Sequence, residues 1–441
     1  MKPFQYIIRA ALLLLFAFGS VGIAQETEKT SGGVGGNVFI PAGGSVQLYD
    51  GHVPQTRLQL RDMGIAPFDL IPAGQTAITA LAVAPDGKIY GGTTGEVANL
   101  FVFSPGHNLL FPLGTIPGQE SIFHSLVVGD DNSVYFGTTK NVEKVYYPDE
   151  KLVQGRDWYY KSVTMQIKAD FAAYPGGHLY RYDPASTRIT FLQENFRINK
   201  PCPVTDLGIP VPNEGIYTLM KAKNSNAIYG ISYPGAKFFR FDPATKKTNI
   251  IATLNSLIPT GEHLPLISRA LVQDNDGNIY ANTDHGYLLR YSPAAGRLDT
   301  LNVRLPGLAG RELFNAVQSA VAHPSGEIYG GTNDGYVFCY TPSNGVMRNL
   351  GKPLMETRIR ALTVGQDGNV YGVGGHKDGV CRLFVYDVRE YAFTDLGMVE
   401  VAMVPYYEWK GFMFDSMVTG LDGSVYLGNS EHRSRLFIYN P

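Results

Sequence analysis

One pattern of apolar and polar positions recurs along the chain. In its first copy an alternating run over residues 78–84 is followed by a turn at Asp86-Gly87 and by a second run that begins Ile89-Tyr90. The alternation predicts two β-strands, and Asp-Gly tolerates the positive φ of a two-residue hairpin turn. Alignment on the tyrosine gives seven copies, at Tyr90, Tyr135, Tyr229, Tyr280, Tyr329, Tyr371 and Tyr426.

Two further apolar runs follow each hairpin. The third closes at a polar turn, as in Phe238-Phe239-Arg240-Phe241-Asp242-Pro243, and the fourth is weaker, as in residues 188–192 and 346–350. Four short antiparallel strands repeated about every 40 to 55 residues are typical of propeller blades. The pattern therefore predicts an all-β fold, a seven-bladed β-propeller with four-stranded antiparallel blades.

The last copy ends after its third strand, at Pro441. Residues 56–64, ahead of the first copy, carry the fourth-strand pattern. We therefore expect an N-terminal strand to complete the last blade, because a closed ring leaves no exposed sheet edge.

The N-terminal residues have a different composition. Lys2 and Arg9 flank a positive segment, an apolar run too short to span a bilayer follows, and small residues precede Gln25. This arrangement indicates a signal peptide over residues 1–24, so we expect an exported protein, periplasmic or extracellular, with no membrane span. Residues 25–55 are Gly-rich and predict a flexible leader, and residues 56–441 form the propeller.

Charge and cysteine content narrow the choice of partners. Without residues 1–24 the chain has 35 basic and 39 acidic residues, a charge near −4, and no basic stripe of the kind that binds nucleic acid. Three cysteines are too few for a disulfide scaffold; isolated core cysteines are favoured over one bridge and a free thiol. We expect a monomer.

Functional residues are sought where the repeat is broken, because packing explains the repeated positions. Counting back eleven from each repeat tyrosine marks the start of the innermost strand, which lines the channel. This predicted ring is Thr79, His124, Thr218, Arg269, Gln318, Arg360 and Asp415. Arg269 and Arg360 are candidates for holding a carboxylate or sulfate, with Gln318 beside them. The alternative is that these polar residues only solvate a wet channel.

The second blade has an insertion at residues 140–177 that is rich in aromatic residues, including Trp158. Other blades make this connection in about 5 to 12 residues, so the excess predicts a lid on the channel-opening face, although a degenerate eighth blade is also open. A second cluster with Tyr407 and Trp409 enters the last blade on the same face. Such rings suit stacking on sugars; burial against the blade tops is the alternative.

Two histidines of the second blade are expected to lie near each other at this opening. His124 heads the innermost strand and His178 heads the third. A histidine pair beside arginine can perform acid-base chemistry near neutral pH. Tyr217, Tyr233 and Lys237 of the third blade complete the candidate set.

The segments Phe123-His124-Ser125-Leu126 and Gly176-Gly177-His178-Leu179-Tyr180 resemble the seven-bladed propeller polysaccharide lyases that cleave ulvan and related rhamnose-glucuronate polymers. The resemblance implies catalytic roles for His124 and His178, with the tyrosine at Tyr217 or Tyr233. The arginine of that family has no match, so Lys237, Arg269 or Arg360 would supply its charge. No metal or other cofactor is expected.

The chemistry implied is β-elimination at a uronic acid. A cation neutralises the carboxylate as the C5 proton leaves, a neutral histidine or a tyrosinate accepts that proton, and a second group protonates the departing oxygen. We therefore expect an exported lyase acting on an acidic polysaccharide or oligosaccharide. The alternative is a non-catalytic propeller that binds glycan or protein at the same face.

Overall fold

The structure is a computed structural model. It describes residues 37–39, 45–50, 75–107, 109–144, 146–153, 155, 158–186, 189–192, 195–198, 204–223, 225–254, 267–283, 285–312, 315–375, 381–398, 413–430 and 435–441. The predicted signal peptide and the predicted strand at residues 56–64 lie outside this set. Within it, no helix is long and apolar enough to cross a membrane.

The described chain forms seven sheets arranged as propeller blades, which confirms the predicted fold class. In chain order the strands before the second-blade helix are β1 Asn37–Phe39, β2 Ser45–Asp50, β3 Gln75–Val83, β4 Ile89–Gly95, β5 Ala98–Ser104, β6 Leu109–Ile116, β7 Leu126–Val128 and β8 Val134–Gly137. Helix α1, Trp158–Ala172, follows.

The remaining strands are β9 Leu179–Tyr182, β10 Ile189–Leu192, β11 Asn195–Ile198, β12 Val204–Asp206, β13 Gly215–Lys221, β14 Ile228–Tyr233, β15 Lys237–Asp242, β16 Lys247–Thr253, β17 Val272–Gln273, β18 Ile279–Asn282, β19 Tyr287–Ser292, β20 Arg297–Arg304, β21 Val317–Ala322, β22 Ile328–Thr332, β23 Val337–Thr341, β24 Val346–Gly351, β25 Ile359–Val364, β26 Val370–Gly374, β27 Arg382–Asp387, β28 Ala392–Met398, β29 Phe414–Thr419, β30 Val425–Asn429 and β31 Arg435–Asn440.

The blades use consecutive strands with two exceptions. Blade 1 is β3 to β6, and blades 3 to 6 are the four sets from β13 to β28. In blade 2 the order is β7-β8-β9-β12, because β10 and β11 form a separate hairpin. The assignment of residues 188–192 to a fourth strand is therefore wrong, and β12 holds that place. Blade 7 is β29-β30-β31, extended by β2 and β1.

The repeated hairpin turn has three residues between the strands, not the two predicted. The Gly87 amide donates to the Ala84 carbonyl at 2.9 Å, and the Ala84 amide donates to the Lys88 carbonyl at 2.8 Å. Gly87 alone takes a left-handed φ, +81°. Asp86 keeps an ordinary backbone, as expected for a type I turn followed by a glycine bulge.

This turn explains why aspartate and tyrosine recur at fixed spacing. The Tyr426 hydroxyl donates to the Asp422 carboxylate at 2.7 Å, and Tyr371 donates to Asp367 at 2.9 Å. A buried hydroxyl needs a partner, and the turn aspartate four residues earlier supplies it. The repeat is therefore explained by the hairpin itself and carries no functional information.

Neighbouring blades pack through the same tyrosines. Ring centroids of Tyr329 and Tyr386 lie 5.9 Å apart between blades 5 and 6, and those of Tyr371 and Tyr439 lie 6.0 Å apart between blades 6 and 7. The last blade meets the first in the same way, with Tyr426 5.7 Å from Phe103. The apolar core thus lies mainly between blades, where each sheet buries its face on the next.

Strand β2 pairs with β31 along six residues, from Ser45 opposite Asn440 to Asp50 opposite Arg435. Both β1 and β2 lie inside residues 25–55, where the glycine content predicted a flexible leader. The alternating sequence Ser45-Val46-Gln47-Leu48-Tyr49 is a strand pattern within that composition. A strand at residues 56–64 stays a prediction.

The insertion of blade 2 contains α1 and no strand among its described residues, so those residues hold no eighth blade. Ile167, Phe171 and Tyr174 form a small apolar cluster that packs on Tyr233 of blade 3. The insertion returns to β9 through Gly176 and Gly177, where a Cβ at Gly177 would collide with the Thr138 carbonyl. Of the cysteines, Cys339 and Cys381 are buried and are not joined by a disulfide; Cys202 lies outside the described residues.

Candidate functional site

The ring predicted from the repeat surrounds an axial cavity of about 200 Å³. His124, Thr218, Arg269, Gln318, Arg360 and Asp415 line it. Thr79 is the exception, because its hydroxyl donates to the Ile122 carbonyl at 2.7 Å and lies 2.8 Å from the Thr94 hydroxyl, within the blades. Six of the seven residues predicted for the ring therefore line the cavity.

A β-bulge explains why these side chains point to the axis. The ladder between the first and second strands skips one residue at Gln318, Arg360 and Asp415; it also skips Thr79, whose side chain turns into the blades instead. A bulged residue is unpaired and its side chain is re-aimed. In blade 3 the skipped residue is Tyr217, not Thr218, because that hairpin is one residue longer. The equivalent ring position there is Tyr217, which a fixed count from Tyr229 could not identify.

Two buried guanidinium groups and one buried carboxylate form the centre of the site. Arg269 and Arg360 are 5% and 2% exposed, and Asp415 is fully buried. Oδ1 of Asp415 accepts from Arg269 Nη2 at 3.1 Å and from Arg360 Nε at 2.8 Å. Burial opposes ionisation of Asp415, but the fields of Arg360 and Arg269 outweigh it and hold the pKa of this carboxyl below its ordinary value.

One carboxylate cannot neutralise two guanidinium groups. Gln318 accepts from Arg269 Nη1 at 3.2 Å, which satisfies a donor without adding charge. Oδ2 of Asp415 and Nε of Arg269 have no hydrogen-bond partner among the described residues. Asp415 alone therefore leaves one positive charge of this pair uncompensated.

His124 is neutral and its ring nitrogen is occupied. Nε2 lies 3.0 Å from Arg269 Nη2; since arginine only donates, Nε2 accepts and the ring proton is on Nδ1. Burial, and then the charge of Arg269, lower the pKa of His124 to about 3. The backbone holds a left-handed φ of +44°, which is uncommon outside glycine.

The insertion contributes Glu143, which the sequence analysis did not single out. Its Oε1 accepts from Arg269 Nη2 at 3.4 Å and from Arg360 Nη2 at 3.3 Å. The loop that carries it is anchored, because the Asn141 amide donates to Glu120 Oε2 at 2.8 Å and Lys144 Nζ pairs with Asp170 of α1 at 2.6 Å. The carboxylate thus bridges the two guanidinium groups from the insertion side.

Arg358 is a third guanidinium near this centre, also missed from the sequence. It is exposed, and its side chain has no hydrogen-bond or ion-pair partner among the described residues. Its backbone is held at φ +60° while its amide donates to the Asn333 carbonyl and its carbonyl accepts from Gly375, both at 3.0 Å. Partial burial of the guanidinium group within this exposed side chain, and then the like charges of Arg360 and Arg269, lower its pKa.

Aromatic rings form one wall beside the charged centre. Phe123 lies under Arg269, 4.9 Å from its guanidinium carbon, and the Tyr217 ring is 4.9 Å from Phe123. Tyr217 stacks on Tyr233 at 5.5 Å, and Tyr233 meets Phe171 of α1 at 5.4 Å. Burial raises the pKa of both Tyr217 and Tyr233, so each phenol keeps its proton.

Other candidate residues lie elsewhere. His178 Nδ1 is 2.8 Å from Asp206 Oδ2 of β12, the outermost strand of blade 2, and its ring stacks on Tyr180. It therefore shares no partner with His124, which faces the axis. Lys237 pairs with Glu214 at 2.8 Å. Trp158 begins α1 and is half-buried. Tyr407 and Trp409 lie outside the described residues.

Comparison with known proteins gives information on the fold and none on the site. No protein-family model matches the chain, and no curated protein matches it in sequence. Among solved structures, a streptogramin B lyase shares 11% identity with a TM-score of 0.58, covering 92% of this chain and 98% of that one. Virginiamycin B lyase from Staphylococcus aureus shares 11% identity with a TM-score of 0.53, covering 83% and 95%.

The extracellular domain of a putative one-component system from B. thetaiotaomicron is also similar, at 13% identity and a TM-score of 0.51. This match covers 82% of the present chain but 38% of the B. thetaiotaomicron chain. At such identities the likeness establishes the propeller fold alone. None of these neighbours is an ulvan or rhamnose-glucuronate lyase.

Proposed function

We propose that this propeller binds an acidic, uronate-containing glycan outside the cell, with a ligand carboxylate at the mouth of the axial cavity. The observation that carries the proposal is the group of three arginines, Arg269, Arg358 and Arg360, set against the carboxylates of Asp415 and Glu143. Guanidinium groups match carboxylates in geometry and charge. The excess of cations favours an anionic ligand.

The aromatic wall supports a sugar as the carrier of that carboxylate. Tyr217 and Tyr233 are partly exposed and stacked on each other beside Arg269. Aromatic faces beside fixed polar groups suit the apolar face of a pyranose ring. The same fold occurs in an extracellular domain from B. thetaiotaomicron, which supports the expected export of this chain.

Binding is favoured over elimination because the acid-base groups are not set up for proton transfer. The lone pair of His124 Nε2 is engaged by Arg269, and His178 faces Asp206. The raised pKa values of Tyr217 and Tyr233 disfavour a tyrosinate base. A histidine pair acting on one sugar would need both imidazoles at the same opening.

Elimination is kept as a second candidate on one observation. His124 contacts Arg269 directly, so a ligand carboxylate that drew Arg269 away would free the imidazole to accept a proton. The lyases among the fold neighbours are compatible with this but show only the fold. Incubation with uronate polymers and absorbance near 235 nm, roughly the unsaturated uronate band, tests for turnover; a rise abolished by His124→Ala would favour this second candidate.

Arg358→Gln tests the binding proposal. Because the side chain is exposed and unpaired, its loss should leave the fold intact and remove one charge-assisted bond to the ligand, weakening affinity about tenfold. Calorimetric titration with short oligomers of glucuronate, galacturonate and mannuronate measures this, beside neutral counterparts of the same length. Arg389→Gln, in the turn after β27 at the other end of blade 6, is the matched control.

Two results would contradict the proposal. One is that no uronate oligomer binds the unchanged protein at millimolar concentration. The other is that the neutral counterparts bind as tightly as the acidic ones, which would remove the role of the arginines.

A further inference from the structure

The carboxylate of Glu143 occupies the position that an anionic ligand would need. Its Oε1 lies 3.4 Å from Arg269 Nη2 and 3.3 Å from Arg360 Nη2, whereas the Asp415 carboxylate contacts the same two guanidinium groups with its Oδ1. Asp415 is fully buried, but the Glu143 side chain is 32% exposed. Of the two carboxylates, the one from the insertion is therefore the one that can leave.

The charges make such an exchange possible. With Glu143 in place the centre has three guanidinium groups and two carboxylates, counting Arg358. If Glu143 left alone, two buried cations would share only Asp415, which is costly. If a ligand carboxylate took its place, the charge balance and both hydrogen bonds would be restored.

The hydrogen bonds to Glu143 are also longer than those to Asp415 in the same cluster. Arg360 Nε reaches Asp415 at 2.8 Å and Arg269 Nη2 reaches it at 3.1 Å, both shorter than either bond to Glu143. The loop around Glu143 keeps other anchors, namely Asn141 on Glu120 and Lys144 on Asp170. Glu143 can therefore be released without detaching the insertion.

We propose that the position of the Glu143 carboxylate is the carboxylate-binding subsite of this propeller, and that Glu143 is its internal competitor. A ligand carboxylate displaces Glu143, bonds to Arg269 and Arg360, and comes within reach of the unpaired Arg358. No covalent bond changes. The inference rests on the proposed function and names the subsite within it.

Glu143→Gln tests the inference, because glutamine keeps the shape and an acceptor oxygen but loses the charge. Affinity for short uronate oligomers should rise on the order of tenfold, since the ligand no longer competes with an anion that fills the site for most of the time. The matched control is Glu150→Gln, which removes one negative charge from an exposed position of the same insertion and leaves the loop anchors in place. It should leave affinity unchanged.

Hydrogen exchange gives a second readout in the unchanged protein. The Glu143 amide donates to Asn141 Oδ1 at 3.0 Å, so release of the side chain should speed amide exchange in residues 141–144 when the uronate oligomer binds. A purely structural role for Glu143 predicts no change there, or slower exchange.

The outcomes separate the two proposals. If the unchanged protein binds uronate oligomers but Glu143→Gln binds them no better, or Glu150→Gln binds them better to the same extent, the competitor inference is overturned and the binding function stands. If neither the unchanged protein nor Glu143→Gln binds any uronate oligomer, the binding function fails and the inference fails with it.

Discussion

At the residue scale, His124 links the site to folding stability. Its pKa is about 3 in the folded chain against 6.5 for the free side chain. Between these values the unfolded chain binds the extra proton, so stability is full above pH 6.5 and falls as the pH drops towards 3. We expect a loss of about 2 kcal/mol from this group between pH 6.5 and pH 4.5.

His124→Asn isolates that loss, because asparagine tolerates the left-handed φ and its side-chain oxygen can accept from Arg269 without titrating. Urea unfolding at pH 6.5 and pH 4.5 measures the difference. The variant should lose about 2 kcal/mol less than the unchanged protein on acidification. Equal losses in the two proteins would show that His124 titrates normally in the fold.

Residues at the site differ in how far the sequence predicted them. The repeat located Gln318 and Arg360 because a bulge keeps each at a fixed distance from a repeat tyrosine, and Arg269 has the same spacing from Tyr280. Glu143 and Arg358 follow no repeat, since one belongs to an insertion and the other to a loop before an innermost strand. A lone charge in a loop gives no signal until the fold places it beside other charges.

At the element scale, α1 and its flanking loops behave as a separate packed unit on the propeller. Phe171 is 4% exposed and packs on Tyr174 and Tyr233, in a cluster of its own. The sequence predicted the insertion and its aromatic residues but gave no helix. Of the two roles predicted for its aromatic residues, stacking on sugars or burial, Phe171 and Tyr174 have the second and hold the helix on the propeller.

Phe171→Ala should therefore free the helix and spare the blades. Removing a buried phenylalanine costs about 3 to 5 kcal/mol, and here the cost is borne by local opening because the cluster lies outside the inter-blade core. Amide exchange across residues 158–172 should rise, by about 100-fold for 3 kcal/mol, while thermal unfolding of the propeller shifts little. Met165→Ala, 49% exposed on the same helix, is the control. A large drop in the main transition would show that the insertion and the blades unfold together.

At the scale of the whole molecule, the hydrophobic pattern is sufficient for the blade count because each blade repeats one local rule, an alternating hairpin whose second strand begins with an apolar residue and a tyrosine, as at Ile89-Tyr90. It was insufficient at the two places where the rule stops. In blade 2 the pattern predicts a fourth strand at residues 188–192, whereas β12 holds that place, and at the N-terminus β2 pairs with β31 inside a segment predicted to be a flexible leader. Edge strands have one partner and little burial, so their sequences are weakly constrained.

Removal of β1 and β2 tests what the N-terminal strands do for the ring. Deletion through residue 50 leaves β31 with six unpaired positions, whereas deletion through residue 36 leaves the pairing intact and serves as the control. Six ladder positions at the usual net value of a hydrogen bond predict a loss of about 3 kcal/mol or more. The freed edge should also promote self-association. Calorimetry and light scattering measure both effects.

If the two deletion variants unfold at the same temperature and both stay monomeric, the N-terminal strands are not needed. The contacts between Tyr426 and Phe103 and between the Ser416 hydroxyl and the Ile78 carbonyl are then enough to hold the last blade on the first.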